Sequence, residues 1–281
     1  MSEDFKPYVA EPLPEAIPLP PISAEPAPKP TLPSIPLSES IAEWTLSIQS
    51  LMVTVVIAVF VITFVIQAFQ IPSESMENTL LIGDYLLVDK LRYGADGPWS
   101  YVVPYQPVER GDIVVFHYPV NPAQHFVKRV IGLPGDRIRL VNKQVFINGE
   151  PLKESYTRFS SPVRNLYRDD FPQVDRIDPG EDSRWYTRMK EVVRRGELSV
   201  PKGEYFVLGD NRDESLDSRY WGLVPRENIL GRPLLIYWSL RGLDGERAAT
   251  STFGDKLFHL AYVVTHLFQI TRWDRTFRLV R

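Results

Sequence analysis

Two residues could do chemistry together: the serine before Met76 in IPSESMENTL (Ile71–Leu80) and the lysine that opens KRVIGLPGD (Lys128–Asp136). A serine hydroxyl attacks a peptide carbonyl poorly unless a neighbouring base takes its proton. Histidine usually does this, held by an acid. A lysine can replace it only when neutral. Lowering its pKa from about 10.4 to about 8 takes roughly 3 kcal/mol of discrimination against the charged form, which burial beside apolar side chains provides. In a strand, Lys128 shares a face with Phe126 and Val130, while Arg129 points the other way between Val127 and Ile131. Arginine cannot be the base, because it stays charged. Taken alone, Ser75 reads as a hydroxyl at a helix end and Lys128 as a lysine at a sheet margin.

Other chemistries are narrowed by composition. The chain has no cysteine, which excludes a disulfide framework, a thiolate zinc site, an iron–sulfur cluster and a cysteine nucleophile. It has four histidines, His117, His125, His259 and His266, without HExxH or a close carboxylate–histidine cluster, so no metal and no cofactor are expected. His117 or His125 with Asp112 or Asp136 could form a conventional triad with Ser75. The acidic run GDNRDESLD invites a calcium loop, but neither register from Asp210 or Asp213 places glycine and glutamate where an EF-hand needs them. A tight turn at Gly209–Asn211 followed by a paired Asp217 and Arg219 accounts for it better. A net charge of −3 and the lack of a long basic stripe argue against nucleic acid.

The elements that must position these residues follow from patterning. With 44% apolar and 24% charged residues in 281, most of the chain should fold around a core. Residues 1–44 are proline-rich and acidic and read as a disordered or polyproline II-like tail. From Thr45 to Ser73 there is no charge, and LMVTVVIAVFVITFVIQAF (Leu51–Phe69) spans about 28 Å as a helix, close to a bilayer's hydrocarbon thickness. Residues 45–70 are therefore expected to form a transmembrane helix, with Trp44 at the interface and Pro72 after its end. The preceding region is long and acidic, so a cleavable leader is not indicated.

Strand-like runs follow: YLLVDK (Tyr85–Lys90), DIVVFHY (Asp112–Tyr118), HFVKRVIG (His125–Gly132), RIRLVNKQVFING (Arg137–Gly149), EYFVLGD (Glu204–Asp210) and PLLIYWSL (Pro233–Leu240). Residues 150–200 are polar, with a short helix expected near Arg188–Arg195. Lys256–Trp273 is expected to be an amphipathic helix on the domain or at the bilayer surface.

Four blocks in order behind one apolar helix, IPSESMENTL, GDYLLVDK (Gly83–Lys90), KRVIGLPGD and GDNRDESLDSRYWG (Gly209–Gly222), resemble the type I signal peptidases. They match the family's P-S-x-S-M-x-x-T-L, K-R-x-x-G-x-P-G-D and G-D-N-R-D-x-S-x-D-S-R-x-x-G patterns, over roughly Ile71–Asp136 and Glu204–Arg232. The resemblance implies a mostly β catalytic domain with an inserted subdomain, on one N-terminal transmembrane helix: core at 71–136 and 204–240, insertion at 137–203, C-terminal segment at 241–281. It implies Ser75 as nucleophile, Lys128 as general base, Ser73 as an oxyanion donor, Ser215 as a residue orienting the lysine, and Asp217 with Arg219 as a supporting pair. Glu214 departs from the pattern, standing where many members carry asparagine.

The implied activity is removal of signal peptides with small residues at −1 and −3. The implied setting is the extracytoplasmic face of a plasma (inner) membrane, with the lipid bilayer and the secretion machinery as further contacts. A self-cleaving repressor peptidase and a non-enzymatic single-pass scaffold are the competing readings. The proline-rich tail and the apolar span argue against the first, whose members begin with a DNA-binding helix-turn-helix, and in the second the proline-rich arm would follow the helix.

Overall fold

The computed structural model describes residues 37–90, 106–175, 178, 180, 182–241 and 265–280. The chain divides into two units, one ending at Leu51 and one running from Met52 to Arg281. Helix α1 (Leu37–Phe60) supplies the described part of the first unit and opens the second. Its large apolar side chains from Leu46 to Phe60, and Ile62 beyond it, are exposed.

The helix expected over residues 45–70 is shorter than its apolar run. It ends at Phe60, Val61–Val65 form a π turn, and Ile66–Gln70 are a strand, β1. Among the described residues no helix is long and apolar enough to cross a membrane. A run of Val, Ile and Phe suits helix and strand alike. Here the edge of β2 (Asp84–Asp89) pairs with Ile66–Gln70 residue by residue, from Ile66 opposite Asp89 to Gln70 opposite Tyr85, and the strand wins.

The rest of the Met52–Arg281 unit is mostly β, as patterning predicts. One sheet also contains β3 (Ile113–His117), β4 (His125–Gly132), β10 (Glu204–Leu208), β11 (Val224–Pro225) and β12 (Ile229–Ser239), in the order β1-β2-β12-β3-β4-β10-β11. A short β13 (Arg278–Leu279) adds to β12 opposite Leu235 and Ile236. In β2, Leu86 and Val88 are buried and pack with Ile71, Met76, Leu80, Ile113, Val115 and Ile236. This cluster lies beneath the first sequence block and anchors it.

The second sheet, order β7-β6-β5-β9-β8, comes from β5 (Arg137–Val141), β6 (Gln144–Ile147), β7 (Glu150–Pro151), β8 (Val193–Arg194) and β9 (Glu197–Ser199). The run read as one strand from Arg137 is a hairpin, turned at Asn142 and Lys143, both with positive φ (49° and 70°). That is the mirror-image turn a two-residue hairpin needs, made with Lys where Gly is usual, so the turn signal is weak in sequence.

The polar stretch after it contains α2 (Leu166–Asp169), capped by Asn165, and α3 (Ser183–Val192), capped by Asp182. The expected helix thus starts earlier than Arg188, at an aspartate cap. Trp185 and Met189 of α3 pack with Ile138, Leu140 and Leu198 of this sheet and with Phe206 and Leu208 of β10, so one core joins both sheets. A single turn, α4 (Ser218–Trp221), follows β10 and is capped by the Asp217 carboxylate.

The first half of the expected amphipathic helix at Lys256–Trp273, residues 256–264, lies outside the described residues. Its described end is α5 (Leu267–Ile270), after which Thr271 bridges to Leu240.

Candidate active site

Ser75 is placed by a single 3₁₀ turn, Glu74–Met76, anchored by burial of Met76 and Leu80 in the core. Leu80 N–H donates to Met76 O at 2.8 Å. On the other side of the turn, Ile71 N–H donates to Asp84 O at 2.9 Å, and Gly83 N–H donates to Ile71 O at 3.0 Å. The hydroxyl is therefore held from both ends of its segment.

The second sequence block holds this turn from below. Asp84 is fully buried and accepts from Leu81 N–H at 2.9 Å, Ser239 Oγ at 2.6 Å and Arg275 Nη2 at 2.6 Å. Gly83 has φ +85° and lies so close to Leu240 O that a side chain there would clash.

Lys128 comes from the middle of β4, 4% exposed, with Nζ 2.6 Å from Ser75 Oγ. Its neighbour on the same face is Phe126, whose ring centroid is 5.5 Å from Nζ. Burial pushes the ammonium down from 10.5 to about 8, against the opposing pull of Asp217 and Asp210 and with the help of Arg219. Ser73 is exposed, with Oγ 3.4 Å from Ser75 Oγ.

Asp217 and Arg219 are buried and joined by two hydrogen bonds of 2.8 Å. Burial works against the Asp217 charge, but Arg219 and the Gly209 N–H keep its carboxyl below the usual range. Ser215 is buried too, and its hydroxyl also favours that charge, without reaching hydrogen-bond geometry. The orienting contact to Lys128 expected of Ser215 is not formed: its Oγ makes no hydrogen bond among the described residues. Ser215 Oγ lies instead in the space beside Gly209, next to Ser75 O.

Several residues that pattern reading passed over complete the site. Arg129, on the opposite face of β4, forks onto Asp210 at 2.8 and 2.7 Å and stacks 3.9 Å from the Tyr156 ring. Asp210 also accepts from Thr79 Oγ1, and Asn211 N–H donates to Ser75 O at 3.1 Å. Asp213 is held by Lys143 at 2.8 Å and Arg168 at 3.0 Å, both from outside the quoted blocks. Thr79, Arg129 and Asp210 stood inside those blocks, where charge alone suggests a solvated surface. Lys143, Arg168 and Arg275 carry no sequence signal, since only folding brings them near.

The triad alternative finds no acid among the described residues. His117 Nδ1 is 2.9 Å from Pro122 O, Asp112 pairs with Arg232, and Asp136 with Arg110. His125 is exposed and packs edge-on against Phe69. The acids of the GDNRDESLD run are likewise engaged by Arg129, Lys143, Arg168 and Arg219 rather than arranged around a cation, Glu214 excepted.

Ser75 and Lys128 open into a cleft of about 520 Å³ lined also by Phe69, Ile71, Phe126, Val127, Glu214 and Leu216. Two strand edges border it. Among the described residues β1 pairs only with β2, and β10 pairs with β4 only from Arg129 to Gly132, leaving that side of His125–Lys128 open. A buried amine beside a hydroxyl, at the floor of an apolar cleft with free main-chain edges, can deprotonate the hydroxyl for attack on an extended peptide.

Residues 41–238 match the family described as Signal peptidase, peptidase S26. The Signal peptidase I of Buchnera aphidicola subsp. Baizongia pistaciae is 36% identical over 68% of this chain and 76% of its own length. That of Pseudomonas fluorescens is 38% identical over 63% of this chain and 66% of its own. A crystal structure of a signal peptidase I from Enterococcus faecalis V583 has 32% identity, covers 45% of this chain and 97% of its own, and gives a TM-score of 0.34. With the match running from residue 41 to residue 238, well over half of its length, the chain belongs to the signal peptidase, peptidase S26 family and is a peptide-bond hydrolase.

Proposed function

We propose that this chain removes signal peptides from preproteins with Ser75 as nucleophile and Lys128 as base. The observation that supports it best is the 2.6 Å approach of a buried, pKa-depressed amine to a serine hydroxyl in an open cleft. The neutral amine of Lys128 takes the proton as Ser75 Oγ adds to the scissile carbonyl. The oxyanion is held by the Ser73 hydroxyl and a backbone N–H near Ser75. Lys128 then gives its proton to the leaving amine, and water activated by the same amine releases the acyl-enzyme.

The substrate lies extended against the open edges of β1 and β4, with small residues at −1 and −3 facing the apolar wall. Asp217 and Arg219 brace the loop behind the amine. The exposed apolar side chains between Leu46 and Ile62 suit a bilayer, which anchors the enzyme once, with the catalytic unit on the extracytoplasmic face of the plasma (inner) membrane. The test is cleavage of a preprotein by the detergent-solubilised chain. Loss of cleavage by at least about a thousandfold is expected in both Ser75→Ala and Lys128→Ala. Wild-type rates in either variant would end this reading.

A further inference from the structure

The loop from Asp210 to Asp217 carries four acids, and three of them have a cation inside the fold. Asp210 has Arg129 at 2.7 Å, Asp213 has Lys143 at 2.8 Å and Asp217 has Arg219 at 2.8 Å. The fourth, Glu214, is exposed, lines the cleft, and makes no ion pair with any described lysine or arginine. It is also not among the groups that act on Lys128, which are Asp217, Asp210 and Arg219.

Among the described residues that line the cleft, the ionisable group besides Glu214 and Lys128 is His125, which burial first, and His117 second, hold below the usual 6.5. Much of the remaining lining is apolar, including Leu216, Phe126 and Val127. A single uncompensated carboxylate at the rim of an apolar cleft acts on whatever charge the substrate brings in.

We propose that Glu214 is a specificity residue, favouring substrates with a lysine or arginine within two residues of the cleaved bond, at −2, +1 or +2, and disfavouring those with an acid there. This rests on the hydrolase reading above. The pair would be solvent-exposed, so its effect is about two- to fivefold. It is screened by salt and falls on KM rather than kcat, because the charge is felt equally in the bound ground state and the transition state.

The experiment measures kcat and KM for preprotein peptides carrying Lys, Ala or Glu in turn at −2, +1 and +2. At one of these positions the wild type is expected to prefer Lys over Glu by about fivefold at low salt, through KM. In Glu214→Gln the ratio falls towards one, and in Glu214→Lys it inverts. Because the readout is a ratio within one protein, a partly folded variant does not mimic the result. A wild-type ratio of one at every position overturns the inference while leaving the hydrolase reading intact. So does a preference that survives Glu214→Gln, or one that collapses instead in Glu74→Gln, the exposed acid beside Ser75. Cleavage of none of the peptides would sink the hydrolase reading and this inference with it.

Discussion

At the scale of single residues, the energetics centre on one amine. Lys128 titrates at about 8 when folded and at 10.5 when unfolded, so the unfolded chain binds more protons between those values. Stability from this group therefore rises with pH through that window, and below about 8 the full penalty of roughly 3 kcal/mol applies. Lys128→Met should abolish cleavage yet raise the melting temperature at pH 7, read by calorimetry. For the wild type, the role proposed for the neutral amine requires kcat/KM to climb with pH to a half-maximum near 8. An activity flat from pH 6 to pH 9 would contradict this. The Asp217–Arg219 pair behaves differently. Removing one partner by Asp217→Asn leaves a buried charge uncompensated and should cost about 3–5 kcal/mol in urea unfolding. Replacing both partners with apolar residues should cost less.

At the scale of elements, the site is the meeting of a 3₁₀ turn, the middle of β4 and the Gly209–Asp217 loop. Gly209 is where they touch: a methyl group there would collide with Ser75 O and Ser215 Oγ. Gly209→Ala should cost about 1–3 kcal/mol and slow cleavage about a hundredfold, by moving the hydroxyl away from the amine. Stability and kinetics measured together check it, and a fast, fully stable variant would refute it. The second sheet contributes at this scale too. Its hairpin residue Lys143, with Arg168 of α2, holds Asp213 and so ties that sheet to the loop behind the amine.

At the scale of the whole molecule, the exposed apolar side chains of α1 from Leu46 onward, and Ile62, form the kind of surface that marks contact with a neighbour. If that neighbour is a bilayer, the full chain should float with liposomes, and Val53→Lys with Ile57→Lys, one turn apart, should release it at about 3 kcal/mol each. Cleavage of a soluble peptide in detergent should persist in that variant. Continued flotation of the double variant would count against the anchor.

Much is readable in the primary structure because it is local. Period-two alternation marks β5, with Ile138 and Leu140 buried and their neighbours exposed. The four blocks carry Ser75 and Lys128, and the strand face shared by Phe126 and Lys128 follows from alternation alone. Tertiary structure decides what depends on residues distant in the chain. The apolar run turns to strand at Ile66 because β2 offers an edge, and Ser215 turns to Gly209 instead of Lys128. Arg275, Arg168 and Lys143 reach acids that no spacing links to them. The physical reason is that periodicity records which face of an element is buried, whereas hydrogen bonds and ion pairs record which elements meet. The depressed pKa of Lys128 needs both: a strand to aim the amine, and a folded core to take it out of water.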